Sequence, residues 1–251
     1  MSMGKAPWLP VLYLCLAGSI RAACIDADVE RLYSQENIAG LDRQIALLAA
    51  KGDRGSRTDV VLLGLAAYRD ADLKLLKRDK DGASDALSTA AKILKARLEK
   101  GPDAELGALL GLIYGMQIRI SPIRGFWLGS SADEVVERAL AAEPNNPRPH
   151  LALGLNVLFK PGAVGGGADK AVGQLQRAVD LYNASATKSD GVCWGWDDAV
   201  LGLARARLKL GDRVAAIALV ESVLARTPDD RPARRLMAAI RHLAEKDGGG
   251  K

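Results

Sequence analysis

The last third of the chain repeats a simple alternation of apolar and polar positions. In "DDAVLGLARARLKLGDRVAAIALVESVLARTPDD", residues 197–230, apolar side chains fall at 200, 203, 204, 208 and 210. That spacing places them on one face of a helix. Gly211-Asp212 interrupts it. Val214, Ile217, Val220, Val223 and Leu224 then define a second helix, which Thr227-Pro228 ends. Asp197 is placed to cap the first helix, with Trp196 before it to pack on Leu201.

The same alternation recurs upstream with wider connections. "PRPHLALGLNVLFK" and "ADKAVGQLQRAVDLY" predict a helix pair joined by "PGAVGGG". Before it, 104–118 and a second helix from about Ser131 predict another pair, separated by the long insertion "RISPIRGFWLGSS" at 119–131. A fourth pair is predicted over 58–76 and 82–101. Residues 26–50 read as one or two N-terminal capping helices and 231–245 as a C-terminal one, before a disordered tail at 247–251. No run of alternating β-branched and aromatic residues reaches strand length, and aromatics make up only 4% of the chain. The expected class is all-α.

The recurring positions resemble those of a tetratricopeptide repeat. Small residues stand where paired helices must approach, at Ala204 and Ala216, at Ala171 and Ala178, and at Ala132 and Ala139. Gly211-Asp212 matches the family's turn. Pro228-Asp229-Asp230 and Pro144-Asn145-Asn146 match its repeat endings, while Leu110-Gly111, Leu153-Gly154 and Leu63-Gly64 echo its first helix. Val200 stands where the family has tryptophan. The resemblance implies one right-handed helical-repeat solenoid of about four helix pairs with capping helices, over residues 24–246 without a domain boundary, because a single pair cannot bury its own apolar face. "P-x-x-x-G-G-G" followed by "WGW" is also similar to exported bacterial repeat proteins, and more distantly to the helical-repeat lipoprotein partner of TRAP transporters.

Residues 1–23 stand apart. Lys5, the apolar run "WLPVLYLCLAGSI" and the small residues of "RAAC" read as a secretory signal peptide, cleaved after Ala22 or Ala23. The run is too short to span a bilayer, and no later segment is long and apolar enough to do so. The expected destination is the periplasm. Cys24 leaves three fates open: lipidation as the first residue of a lipoprotein, a disulfide with Cys193, or a free thiol. Loss of Lys5 and Arg21 takes the net charge from +5 to +3, because residues 1–23 hold no acid. So mild a charge, interspersed along helices, gives no ground for nucleic acid.

The three glycines at 165–167 raise the question of a phosphate loop. From Gly162 the spacing reaches Gly167, but Ala168 and Asp169 follow where lysine and a hydroxyl residue are needed. The segment therefore reads as a hinge between helices, with a weak single-anion site at the helix N-terminus after Gly167 as the alternative, against which Asp169 already supplies negative charge. His150 and His242 are isolated, Cys193 has no histidine near it in sequence, and no metal-ligand spacing or nucleophile elbow occurs. No cofactor or metal and no enzymatic activity is expected.

What remains is surface. In this kind of repeat the first helix of each pair lines a groove, and the register points Arg148, Leu151, Leu155 and Phe159, then Leu201, Arg205, Leu208 and Lys209, toward it. Phe126 and Trp127 of the insertion are the expected exposed aromatics. The expected function is a non-enzymatic exported scaffold that binds a protein or peptide at Arg148, Leu151, Leu155, Phe159, Trp127, Arg205 and Lys209. The alternative is a small-molecule carrier or transporter accessory component. Leucines at the groove positions suit the scaffold only if neighbouring helices do not bury them. Mass spectrometry of the exported protein is expected to find residues 1–22 or 1–23 missing; an intact N-terminus would remove the case for secretion.

Overall fold

The computed structural model describes residues 24–184 and 193–248. The signal-peptide segment, part of the 183–196 connection and residues 249–251 lie outside the described residues. Among the described residues eleven α-helices follow one another: α1 Ala27–Ser34, α2 Ile38–Lys51, α3 Arg57–Leu76, α4 Lys80–Leu98, α5 Ala104–Ile120, α6 Gly125–Ala142, α7 Pro147–Phe159, α8 Ala168–Ala184, α9 Trp196–Lys209, α10 Arg213–Arg226 and α11 Arg231–Gly248. No strand occurs among the described residues. The fold is the expected all-α helical solenoid.

Local chemistry fixes most helix starts. Asn37, Asp79, Asp103, Asn146 and Asp212 each accept a hydrogen bond from a backbone N–H in the first turn of the helix that follows. Ser56 and Asp59 make a full capping box at α3. Pro147 takes the first position of α7, where its missing N–H costs nothing. Gly211 ends the α9 unit with φ near +86°, a conformation that glycine adopts without strain.

The helices pack as antiparallel pairs, α3 with α4, α5 with α6, α7 with α8 and α9 with α10. The first helix of each pair also packs on the first helix of the next. Small residues make this possible. Ala132, Ala139, Ala171, Ala178, Ala204 and Ala216 are all buried. At Gly154 a Cβ would stand 3.2 Å from the backbone nitrogen of Leu175 on α8, so the two helices meet there backbone to side chain. Helix α5 is buried on nearly all sides, which is why "AELGALLGLIYGMQI" shows little amphipathic contrast.

Three boundaries differ from the sequence reading. The 119–131 insertion is not a loop: Pro122–Arg124 form a single 3-10 turn and α6 begins at Gly125, six residues before Ser131. Pro122 starts that turn, and nothing between Gly125 and Ser131 stops a helix from continuing. Helix α9 begins at Trp196, so Asp197 lies in its first turn and the N-cap is Gly195, with φ near +108°. Trp196 packs under the Arg226 guanidinium, 3.8 Å from the ring centre, and donates to the Asn183 side chain. At the other end, α11 reaches Gly248, so only the last residues of the expected tail fall beyond it.

Ala216 is fully buried where α10 meets its neighbours. Ala216→Leu is expected to destabilise the protein by roughly 1–3 kcal/mol through overpacking. An unchanged thermal midpoint would show that this helix register is wrong.

Candidate functional site

The inner face of the solenoid is where the sequence predicts a groove, and much of it is filled by the chain itself. Arg69 of α3 is the centre. It is buried, donates to Glu30 of α1 at 3.0 and 2.9 Å, and makes a two-pronged pair with Asp198 of α9 at 2.7 Å on each prong. Its guanidinium also lies over the rings of Tyr33 and Tyr68. Tyr33 donates to Asp72 of α3 at 2.7 Å. A disulfide joins Cys24 to Cys193, and the Cys193 N–H donates to Asp26. Arg231 and Arg235 of α11 pair with Glu36 beyond α1. Helix α1 is thus tied to α3, to the segment leading into α9, and to α11.

A second cluster lies on the same face. Trp194 is buried and its indole N–H donates to Glu105 of α5 at 2.6 Å. Arg148 of α7 pairs with the same carboxylate at 2.9 Å and lies over the Trp194 ring. The expected partner-binding residues divide accordingly. Arg148, Leu151 and Leu155 are buried, so they are not displayed to a partner, and Leu201 is buried with them. Arg148 instead holds Glu105 and Trp194, and the three leucines join the core. Arg205 and Leu208 are half-buried, while Phe159, Lys209 and Trp127 are exposed.

Phe159 is the surviving feature of the groove. It ends α7 with 44% of its surface exposed. Arg119 from the end of α5 lies 5.4 Å from its ring centre, and Lys209 from the end of α9 lies 5.3 Å away. Lys209 is held there by a bond to the Leu158 carbonyl. Three successive first helices thus converge on one aromatic ring, which presents an apolar surface with cations beside it.

The glycine segment is a hydrogen-bonded turn between α7 and α8. The N–H groups of Gly165, Gly166 and Gly167 donate to the carbonyls of Gly162, Pro161 and Val157. Gly165 and Gly167 both have positive φ, which accounts for glycine at those two places.

Residues 171–240 match the sequence model of the tetratricopeptide repeat. The HusA haemophore from Porphyromonas gingivalis superposes with a TM-score of 0.50 at 21% identity, covering 74% of this chain and 92% of that one. The chain is a tetratricopeptide-like helical-repeat protein. Lesser likenesses are to the APC/C hetero-tetramer Cut9-Hcn1 (TM-score 0.44, 16% identity, 88% of this chain and 43% of that one) and to the assembly chaperone of RpL4, Acl4 (TM-score 0.40, 14% identity, 90% and 97%). No curated protein matches the chain in sequence.

This tetratricopeptide-like protein also carries a cleft of about 620 Å³ between α4, the α4–α5 turn, α5 and α6. Leu98, Leu110 and Val135 contribute apolar surface to it, and charges of both signs, among them Lys95, Arg138 and Glu134, line the rest. Cys24, Asp26 and Cys193 lie close enough to ligate a metal, but the two sulfurs are bonded to each other and offer no thiolate. For the same reason Cys24 has no free sulfur to carry a lipid. His150 is held between Gln174 and the Pro144 carbonyl, and His242 stands exposed beside Glu245. No described helix is long and apolar enough to cross a membrane.

The inner-face carboxylates are under strain from burial. Burial pushes the Glu30 carboxyl above its usual range, against the pull of Arg69. Burial and the nearby Asp198 raise Asp197 to about 6. Burial alone pulls Arg69 down, but Asp198 and Glu30 outweigh it and hold the guanidinium charged. Sequence analysis missed Arg69, Glu30, Asp198 and Glu105. Their trace was visible: Arg69 interrupts the apolar stretch "VVLLGLAAY", and Glu105 opens the most apolar helix of the chain.

Arg69→Met is expected to cost up to about 3 kcal/mol near neutral pH, because it leaves two half-buried carboxylates without their counter-ion. Burial already raises the Glu30 carboxyl, and without the guanidinium nothing offsets that rise, so the variant takes up a proton there on folding. Stability from such groups is present below the unfolded pKa and is lost as pH rises through the folded one. The deficit against wild type is therefore expected to shrink as pH falls toward the carboxylate range and Glu30 is protonated. A deficit that is independent of pH, measured by thermal or urea unfolding, would refute the assignment.

Proposed function

We propose that this protein is a non-enzymatic exported scaffold that binds a protein partner at the Phe159 site. Repeats of this type are generally protein-interaction scaffolds. The observation that carries the reading is the exposed Phe159 ring between Arg119 and Lys209, with Arg205 half-exposed on α9. An aromatic flanked by cations suits a segment that offers an apolar side chain next to acidic ones. Because the inner face is occupied by α1 and Trp194, the partner would meet the ends of the first helices and not their length. The export part of the proposal is supported by the expected leader and by the Cys24–Cys193 disulfide, a bond that persists in oxidising compartments. The likeness to a haemophore shows the fold alone, and haem is no part of this reading.

Crosslinking capture from the native envelope tests the site, with wild type beside Phe159→Glu and Lys209→Glu. The expected result is one protein held by wild type and bound about tenfold or more weakly by each folded variant. An unchanged capture by Phe159→Glu, with its thermal midpoint intact, would overturn the site.

A further inference from the structure

The helix pairs are antiparallel, so all four turns within pairs gather along one rim and the turns between pairs along the other. The two rims differ. The wide α5–α6 turn carries Ile123, Phe126 and Trp127, which are 58%, 86% and 58% exposed. Val164 of the α7–α8 turn and Leu210 and Val214 of the α9–α10 turn are exposed as well. With Leu76 and Phe159, this rim holds most of the large exposed hydrophobic side chains among the described residues; those elsewhere are Ile25, Leu47 and Leu243.

Charge follows the same division. Segments 76–81, 119–127, 159–170 and 209–214 of this rim hold nine basic residues and four acidic ones. Two of the four acids, Asp79 and Asp212, cap helices through their side chains, and one of the nine bases, Lys160, is paired with Asp133 of α6. On the opposite rim, segments 51–57, 99–105, 142–148 and 226–231 hold seven of each sign. The turns of the basic rim are also contiguous. Arg119 and Lys209 meet over Phe159, and Arg124 donates to Ser84 at the start of α4.

From this we infer that the rim around Ile123, Phe126 and Trp127 docks on an anionic lipid bilayer. The net positive charge selects an anionic surface. The shape of the apolar part favours lipid over a second protein. Phe126 and Trp127 stand out from the first turn of a helix rather than lining a concavity. Protruding aromatics on a rim whose turns carry an excess of lysine and arginine can enter a deformable headgroup layer without needing a matching pocket. No described helix is long and apolar enough to cross a membrane, and the docking proposed here is peripheral. Phe159, set between its two cations, stays with the scaffold reading; the tip residues outside it are the lipid contact.

The test is co-sedimentation with vesicles of equal parts phosphatidylglycerol and phosphatidylcholine, against phosphatidylcholine alone. Wild type and variants are compared in the same N-terminal form, so that any leader affects both alike. Wild type is expected to pellet with the anionic vesicles only, and less as salt rises. Phe126→Ser/Trp127→Ser is expected to lower partitioning about tenfold, and Lys77→Glu/Lys80→Glu to lower it several-fold, both with an unchanged thermal midpoint. Absence of wild-type binding, equal binding to neutral vesicles, or undiminished binding by the Phe126/Trp127 variant would each overturn the inference. So would loss of a captured protein by that variant without lipid present, which would make the tip a protein site. Neither set of variants touches Phe159, so this proposal and the scaffold reading fail separately.

Discussion

Arg69 decides what kind of solenoid this is. A stack of helix pairs held only by contacts between neighbours leaves an open inner groove. Here one guanidinium reaches a carboxylate from α1 on one side and one from α9 on the other, across 129 residues of sequence from Arg69 to Asp198. The pair with Asp198 is two-pronged and the guanidinium itself is buried, so the geometry is fixed by hydrogen bonding as well as charge. Desolvating three charges is costly, and the arrangement holds only while all three are present together. The Cys24–Cys193 disulfide constrains the same closure covalently, over a separation of 169 residues. Ends that would fray independently in a simple repeat array are coupled here.

That closure moves the binding surface. Once α1 and Trp194 occupy the inner face, the residues that a repeat of this type ordinarily displays become core. Arg148, Leu151 and Leu155 are the clearest cases. What stays open is the place where first helices end and second helices begin. Phe159, Arg119 and Lys209 meet there because α5, α7 and α9 terminate side by side. The exposed surface therefore belongs to helix ends, where side chains from three repeats converge without any of them being needed for packing.

The repeat frame was legible because its constraints are local or nearest-neighbour. Small residues at Ala204 and Ala216, the Gly211-Asp212 turn and the endings at Pro144 and Pro228 each act on adjacent turns or helices, and all stand where expected. The α6 start was misread because Pro122 signals a break, and the helical residues after it carry no apolar period of their own. The inner-face network was not legible as a network. Glu30, Arg69 and Asp198 lie in three separate helices, and nothing in the spacing of any one helix indicates which charges face one another. The pairing of Cys24 with Cys193 stood as one of three open fates for the same reason.

The placement of the two insertions fits this division of labour. The long 119–131 segment and the "PGAVGGG" segment both fall within helix pairs, on the basic rim. Stacking constrains the apolar faces of the repeats and the short turns that set their approach, and it places little demand on residues projecting from the rim. Extra length is therefore tolerated there. In this chain the α5–α6 insertion is not a slack loop: it is drawn into a 3-10 turn and an extended α6. Rigid backbone that holds Phe126 and Trp127 outward does nothing for the core. An ordered, apolar edge with a basic excess on one side and a charge-balanced edge on the other make the rim, more than the groove, the surface through which this fold meets its surroundings.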